Sequence, residues 1–369
     1  MTGTLEELPI RQKIGQLFFI GIPGTELDPA TQELLREVRP GGICLFGRNI
    51  REAAQTRKLL DDIRAFSPVL PFLSLDQEGG TVDRLRRIVG PIAAANRVRS
   101  VENAVRSAEI ISETIRILGF NMDFAPVVDV VDEERAVYSN GLFSRPFGRS
   151  KQETAVLAGT FLRTLQQNGV IGCLKHFPGL GAARVDSHEE LPLVDIARDQ
   201  LDEIDLFPYR ELNGSGDVHA IMAGHASFPG LDLQERDQNG KLLPSSLSSN
   251  FVTNLLRGEL GYRGLVITDD LEMGAIVNSY GIGDASCMAV SAGVDMLAIC
   301  ADPARIREGF DAVLKAVGDG AISENRIDES LRRIDSVRRL VSEPLMFDGV
   351  RLSGLSDEIT AYNEQVGEN

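Results

Sequence analysis

Short apolar runs alternate with longer amphipathic stretches along most of the chain. Residues 16–22, 42–46, 70–75, 122–130, 170–174, 220–223, 265–268 and 296–299 are largely apolar and of strand length, the pattern of strands buried on both faces. The intervening stretches 29–38, 51–66, 101–118, 153–167, 199–212, 250–260, 285–292, 303–317 and 323–340 are compatible with helices. In 101–118 the residues Val105, Ala108, Ile111, Ile115 and Leu118 recur at helical spacing, and Gly119 supplies a C-terminal cap. In 323–340 one face carries Ile327, Leu331, Ile334 and Val337, while Arg332, Arg333, Arg338 and Arg339 fall largely elsewhere. About eight strand–helix units of this kind predict an α/β fold, a (β/α)8 TIM-type barrel in a single domain. The barrel is expected to span residues 1–345, with a polar C-terminal tail, 346–369, that packs loosely or frays. A doubly wound open sheet is the alternative, but the glycines after Gly79 lack the spacing and helix context of a dinucleotide fingerprint.

In such a barrel the residues at the C-terminal ends of the strands build the site. Those ends are strongly polar here: Asp76 and then Arg84 at the third, Asp129 and then Arg145 at the fourth, Lys175 and His176 at the fifth. Met222 and His225 follow at the sixth, and Asp269 and Asp270 at the seventh. Asp, Arg, Lys and His converging in this way suit a polyhydroxylated ligand, because carboxylates and bases hydrogen-bond vicinal hydroxyls in pairs. An aspartate at a strand end can attack a sugar carbon.

The stretch 174–192, LKHFPGLGAARVDSHEELP, holds two of the four histidines. Pro178, Gly179 and Gly181 exclude a helix or a central strand, so Asp186, Ser187 and His188 are expected on a flexible loop. There a carboxylate can hold one imidazole nitrogen and leave the other free for proton transfer. Closure of this loop on substrate is the expected gate.

Composition narrows the partners. A formal charge of −16 argues against nucleic acid and anionic membranes, both of which need a basic footprint. The N-terminus lacks a basic start, and its apolar run from Leu17 to Ile22 is too short for a secretory core or a membrane span. Cys44, Cys173, Cys287 and Cys300 are scattered in apolar segments and read as reduced core residues, which makes the cytoplasm the expected location. No His/Cys/Asp/Glu spacing matches a metal site, so neither a metal nor a cofactor is expected. The expected partner is a small carbohydrate, and the expected assembly a monomer or weak homodimer.

The segments LDQEGGTVDRL, NMDFAPVVDV, SRPFG, LKHFPGLG, the DSH loop, PSSLS and GLVITDDLEM occur in the order found in glycoside hydrolase family 3. Together they resemble its single-domain bacterial β-N-acetylglucosaminidases, which recycle peptidoglycan. The resemblance implies a retaining mechanism. Asp269 would attack the anomeric carbon to form a glycosyl–enzyme; His188 would protonate the leaving oxygen and then deprotonate water; Asp186 would orient His188. Asp76, Arg84, Arg145, Lys175 and His176 would bind the N-acetyl sugar, with Met222 and His225 beside them, and Asp270 would pack or hydrogen-bond behind the site. Family 3 β-glucosidases usually carry a second domain that donates a carboxylic acid; the shorter chain and the DSH loop favour the hexosaminidase branch. Where the family loop reads KHFPGHG, this chain has Leu180 in place of the second histidine. The competing expectations are a β-N-acetylglucosaminide phosphorylase, another family 3 β-glycosidase, and a sugar-binding protein without activity. Phosphate dependence separates the first of these from a hydrolase.

Overall fold

The computed structural model describes residues 4–138 and 141–367. Among the described residues ten strands are formed: β1 (Phe18–Gly21), β2 (Gly42–Cys44), β3 (Phe72–Leu75), β4 (Gln77–Gly79), β5 (Val82–Asp83), β6 (Met122–Asp123), β7 (Ile171–Phe177), β8 (Ala220–Ala223), β9 (Leu265–Asp270) and β10 (Met296–Ile299). All but β4 and β5 close into a parallel barrel in the order β1-β10-β9-β8-β7-β6-β3-β2. Pairing of Phe18 with Leu297 on one side and of Phe19 with Gly42 on the other completes the ring. This is the expected (β/α)8 architecture. β4 and β5 form an antiparallel hairpin directly after β3, on the face where the site lies.

The barrel interior is filled, not open. Phe19 packs against Phe72 at 6.4 Å and against Phe124 at 5.1 Å between ring centroids. Gly42 makes room for this layer: a Cβ there would stand 2.5 Å from the Phe19 ring. The outer helices begin where short polar side chains satisfy free backbone N–H groups. Asp28, Ser100, Ser150 and Ser323 accept from the N–H of Thr31, Asn103, Glu153 and Arg326. Gly119 ends the helix Val101–Leu118 in a left-handed conformation at φ 99°, as its position predicts.

Three elements depart from the expected pattern. The run 122–130 gives only a two-residue strand, because Pro126 has no N–H to donate to a ladder. It nevertheless stays extended beside β7: Cys173 N–H donates to Ala125 O and Val128 N–H to Lys175 O, both at 2.8 Å. β7 is longer than expected and carries Lys175 and His176 within it. The tail is corrected outright. Residues Gly349–Gly367 form a helix that buries Leu352, Leu355, Ile359, Tyr362 and Val366 against the rest of the chain. Arg351 pairs with Glu113, Arg106 with Glu358, and Tyr362 donates to the Asn103 carbonyl. Polar residues on the outer face of this helix conceal an apolar stripe of helical spacing. Among the described residues, no helix is long and apolar enough to cross a membrane.

Candidate active site

A cavity of about 230 Å³ opens at the C-terminal end of the barrel, and side chains from β2, β3, β7, β8, β9, β10 and their following loops line it. A larger groove, about 590 Å³, lies between the first turns of the helices Val101–Leu118 and Lys151–Gln167, but it holds a single carboxylate, Glu153, and no histidine. It therefore lacks a paired acid and base, and the barrel cavity is the candidate site.

One wall is a chain of ion pairs. Lys175 Nζ lies 2.9 Å from Asp76 Oδ1 and 2.6 Å from Glu78 Oε1. Arg145 grips both Glu78 oxygens, at 2.8 and 3.0 Å, and Arg84 reaches Asp76 Oδ2 at 3.4 Å. Burial alone would push both carboxyls up. Lys175 and Arg84 instead hold Asp76 well below the usual carboxylate range, while Arg145 and Lys175 hold Glu78 down at about 2. Burial disfavours the Lys175 cation, yet Asp76 and Glu78 together keep its ammonium above the ordinary lysine value. The result is a rigid, fully charged array with Asp76, Arg84, Arg145 and Lys175 on the cavity surface.

Beside this array, His176 is fixed from behind. Its Nδ1 lies 2.7 Å from Asp129 Oδ2, and Asp129 Oδ1 accepts the Leu180 N–H at 2.7 Å. The other ring nitrogen lies 3.3 Å from an Arg145 nitrogen and 3.9 Å from Asp269 Oδ2. Asp269 is the penultimate residue of β9, with one oxygen accepting the Asp270 N–H at 2.9 Å. Burial raises its carboxyl, but His176 and His225 outweigh burial and set it below the ordinary aspartate value.

The DSH segment completes the cavity. His188 is two-thirds exposed and lines the same cavity as Asp269. Its Nδ1 and its backbone N–H both meet Asp186 Oδ1, at 2.7 and 2.9 Å, which leaves Nε2 as the free ring nitrogen. Burial pushes the Asp186 carboxyl up, and the hydrogen bonds from His188 more than reverse this. The segment is docked: Ala275 N–H donates to Ser187 O and Gly274 N–H to His188 O, each at 3.2 Å, and Asn278 donates to Glu189 O at 3.0 Å. The stretch just after Asp269 thus supports the loop that carries His188.

With this geometry in place, similarity to known proteins becomes informative. Residues 9–337 match the family model described as "Glycosyl hydrolase family 3 N terminal domain". The chain belongs to glycosyl hydrolase family 3. A β-hexosaminidase of Pseudomonas aeruginosa is 34% identical over 292 residues, which cover 77% of this chain and 82% of that protein. A family 3 β-N-acetylglucosaminidase from Paenibacillus superimposes with a TM-score of 0.86 at 35% identity, covering 96% of this chain and 69% of the other. A family 3 glycosyl hydrolase from Mycobacterium smegmatis gives a TM-score of 0.80 at 33% identity, covering 91% of this chain and 98% of the other.

Set in this family 3 barrel, the residues read from the sequence fall into two groups. Asp76, Arg84, Arg145, Lys175, His176, His188, Met222 and Asp269 line the cavity, with Asp186 directly behind His188. His225 does not. Its ring is fully buried, with Nδ1 on Ser246 Oγ at 2.7 Å and Nε2 on the Asp270 carbonyl at 3.1 Å, so both nitrogens are engaged away from the cavity. Asp270 makes the opposite correction. It stands on the cavity wall, and burial, with Glu272 and Asp269 nearby, pushes its carboxyl up to about 7. Leu180 is buried in the core, and its backbone N–H holds Asp129.

Sequence reasoning passed over Glu78. The signal was present: in extended backbone, residues two apart share a face, so Glu78 follows Asp76 onto Lys175. Ser246, in PSSLS, was also missed; it fixes the His225 ring.

Proposed function

We propose that this family 3 chain is a retaining exo-β-N-acetylglucosaminidase. It removes terminal non-reducing N-acetyl-β-glucosamine from peptidoglycan (muropeptide) or chitin-type fragments through a covalent glycosyl-aspartate. The observation that carries this reading is that Asp269 and His188 face one cavity, with Asp186 on the far nitrogen of His188. The β-hexosaminidase and β-N-acetylglucosaminidase named above support the substrate class.

The chemistry follows from the geometry. Asp269 is held ionised and attacks the anomeric carbon as the bond to the leaving oxygen breaks. The proton reaches that oxygen from His188 Nε2, the nitrogen Asp186 leaves free. Neutral His188 then takes a proton from water, which attacks the anomeric carbon and releases Asp269. Asp76, Arg84, Arg145, Lys175 and His176 hold the sugar hydroxyls, and their mutual pairing fixes them before substrate arrives. Four unpaired cysteines support a reducing compartment such as the cytoplasm.

The test compares p-nitrophenyl N-acetyl-β-glucosaminide with the β-glucoside. Turnover of the first, little of the second, and no dependence on inorganic phosphate are expected, with Asp269→Asn losing activity by orders of magnitude. Preference for the plain glucoside, or an absolute need for phosphate, overturns the reading.

A further inference from the structure

The turn that carries Asp186 and His188 is held from two sides by glycines. On one side stands Gly141, at φ 74°, so close to Asp186 that a Cβ there would lie 2.7 Å from the carboxylate carbon. That carboxylate cannot shift without loosening His188, because its Oδ1 already accepts from the backbone N–H and pairs with the Nδ1 of His188. On the other side stands Gly274, where a Cβ would lie 2.7 Å from the His188 carbonyl oxygen and also meet the Glu189 carbonyl. The Gly274 and Ala275 N–H groups donate to His188 and Ser187 from this side.

Each glycine also belongs to a segment that touches the rest of the cavity. Gly141 opens a short strap that turns back where Arg145 N–H donates to Leu142 O at 2.8 Å. Its last residue, Arg145, is locked onto Glu78 and lies against His176. Gly274 follows β9, five residues beyond Asp269, after the bend at Met273, whose N–H donates to Asp270 O. The acid/base turn is therefore bracketed by one element from the sugar-anchoring array and one from the nucleophile strand.

We infer that Gly141 and Gly274 are positioning residues that clamp the Asp186–His188 turn, their absent side chains forming the slot that sets the reach of His188 Nε2 towards the leaving oxygen. The inference rests on the reading of His188 as the acid/base. A Cβ at either position must displace the turn, since the atoms it meets are backbone or a carboxylate already held twice. Displacement of this kind weakens proton delivery without touching the nucleophile or the sugar anchors.

Leaving-group dependence tests this, because a good leaving group departs without protonation and a poor one does not. Gly141→Ala and Gly274→Ala are expected to lower kcat/KM on N,N'-diacetylchitobiose by about 100-fold, and on the 2,4-dinitrophenyl glycoside by less than about threefold. KM on the disaccharide is expected to change little, whereas on the 2,4-dinitrophenyl glycoside kcat and KM are expected to fall together, because the same histidine serves as base in deglycosylation. Adding either substitution to His188→Ala is expected to cost nothing further on the disaccharide. Gly320→Ala is the control for backbone strain: its φ is 75°, but no heavy atom lies within 4 Å of a Cβ there. It is expected to lower the melting temperature and leave both activities intact. Gly274, which has no positive φ, keeps the clamp testable if Gly141→Ala does not fold.

Equal losses on both substrates, or no loss on either, overturn the clamp. If His188→Ala itself shows no leaving-group dependence, the assignment of the acid/base fails. If His188→Ala shows it and the glycine variants do not, the clamp alone fails.

Discussion

Glu78 is the residue on which the charge of the cavity turns. It is the shared partner of Lys175 and Arg145, and all three are at or near full burial. Removing one member of a buried pair leaves an uncompensated charge, so Glu78→Gln is expected to destabilise the protein by about 3 kcal/mol and to lower kcat/KM sharply. Denaturant unfolding and steady-state kinetics check both. The same carboxylate predicts an acid limb. Its value in the folded protein is depressed to about 2, so the stability it contributes is fully present above the ordinary glutamate range and is lost as pH falls from there towards 2. Unfolding free energy measured down that window should fall less steeply for Glu78→Gln than for the parent chain; parallel curves would remove Glu78 from the account. The site was legible from the sequence as far as charged residues followed apolar runs: Asp76, Lys175, His176 and Asp269 were found in that way. Glu78 was not, because it lies beyond the apolar run, in the hairpin after β3, where only its two-residue spacing from Asp76 marks the shared face. His225 and Asp270 were each placed on the wrong side of the wall. Adjacent and near-adjacent residues at a strand end differ in direction, and the bends that decide between cavity and core are set by contacts distant in sequence.

At the scale of elements, the barrel could be read because buried parallel strands give continuous apolar runs and the helices between them keep a 3.6-residue period. The C-terminal helix escaped the same reading. Its buried positions Leu352, Leu355, Ile359, Tyr362 and Val366 have helical spacing, but Gly349, Gly354 and Gly367 and several polar residues dilute the signal. What holds it is tertiary: it packs on the helix Val101–Leu118 through Tyr362, Gln365 and paired arginines. Asn363 also bonds the Ala93 N–H and the Pro91 carbonyl, so the helix steadies the segment after the rim hairpin. Leu355 is fully buried in this seam. Leu355→Ala is expected to cost about 2–5 kcal/mol by lost transfer energy and cavity formation, read as a fall in denaturation midpoint. A change of less than 1 kcal/mol, about the scale of a surface substitution, would mean the helix is a loosely attached tail after all.

Over the whole molecule, a formal charge of −16 is set against a cavity wall that concentrates Lys175, Arg145 and Arg84. Those cations are spent on Asp76 and Glu78, so the array offers hydrogen bonds to neutral hydroxyls more than attraction at a distance. A neutral sugar meets this protein without electrostatic bias, whereas an anionic substrate approaches through a repulsive field. Such a field reaches about 10 Å at 0.1 M salt and roughly 30 Å at 0.01 M. The difference bears on the choice between chitin-type fragments, which are neutral, and muropeptides, which carry carboxylates. Raising salt from about 0.01 to about 0.3 M, the range over which screening sets in, should increase kcat/KM for a carboxylate-bearing N-acetylglucosaminide severalfold. It should leave the neutral p-nitrophenyl substrate unchanged. The effect should appear in kcat/KM and not in kcat, since screening alters encounter and not the bound geometry. A rise that appears equally for both substrates would point to salt acting on the fold. A fall for the anionic substrate would mean that local positive charge at the mouth outweighs the net charge, and would favour muropeptides as the substrate this surface is built to receive.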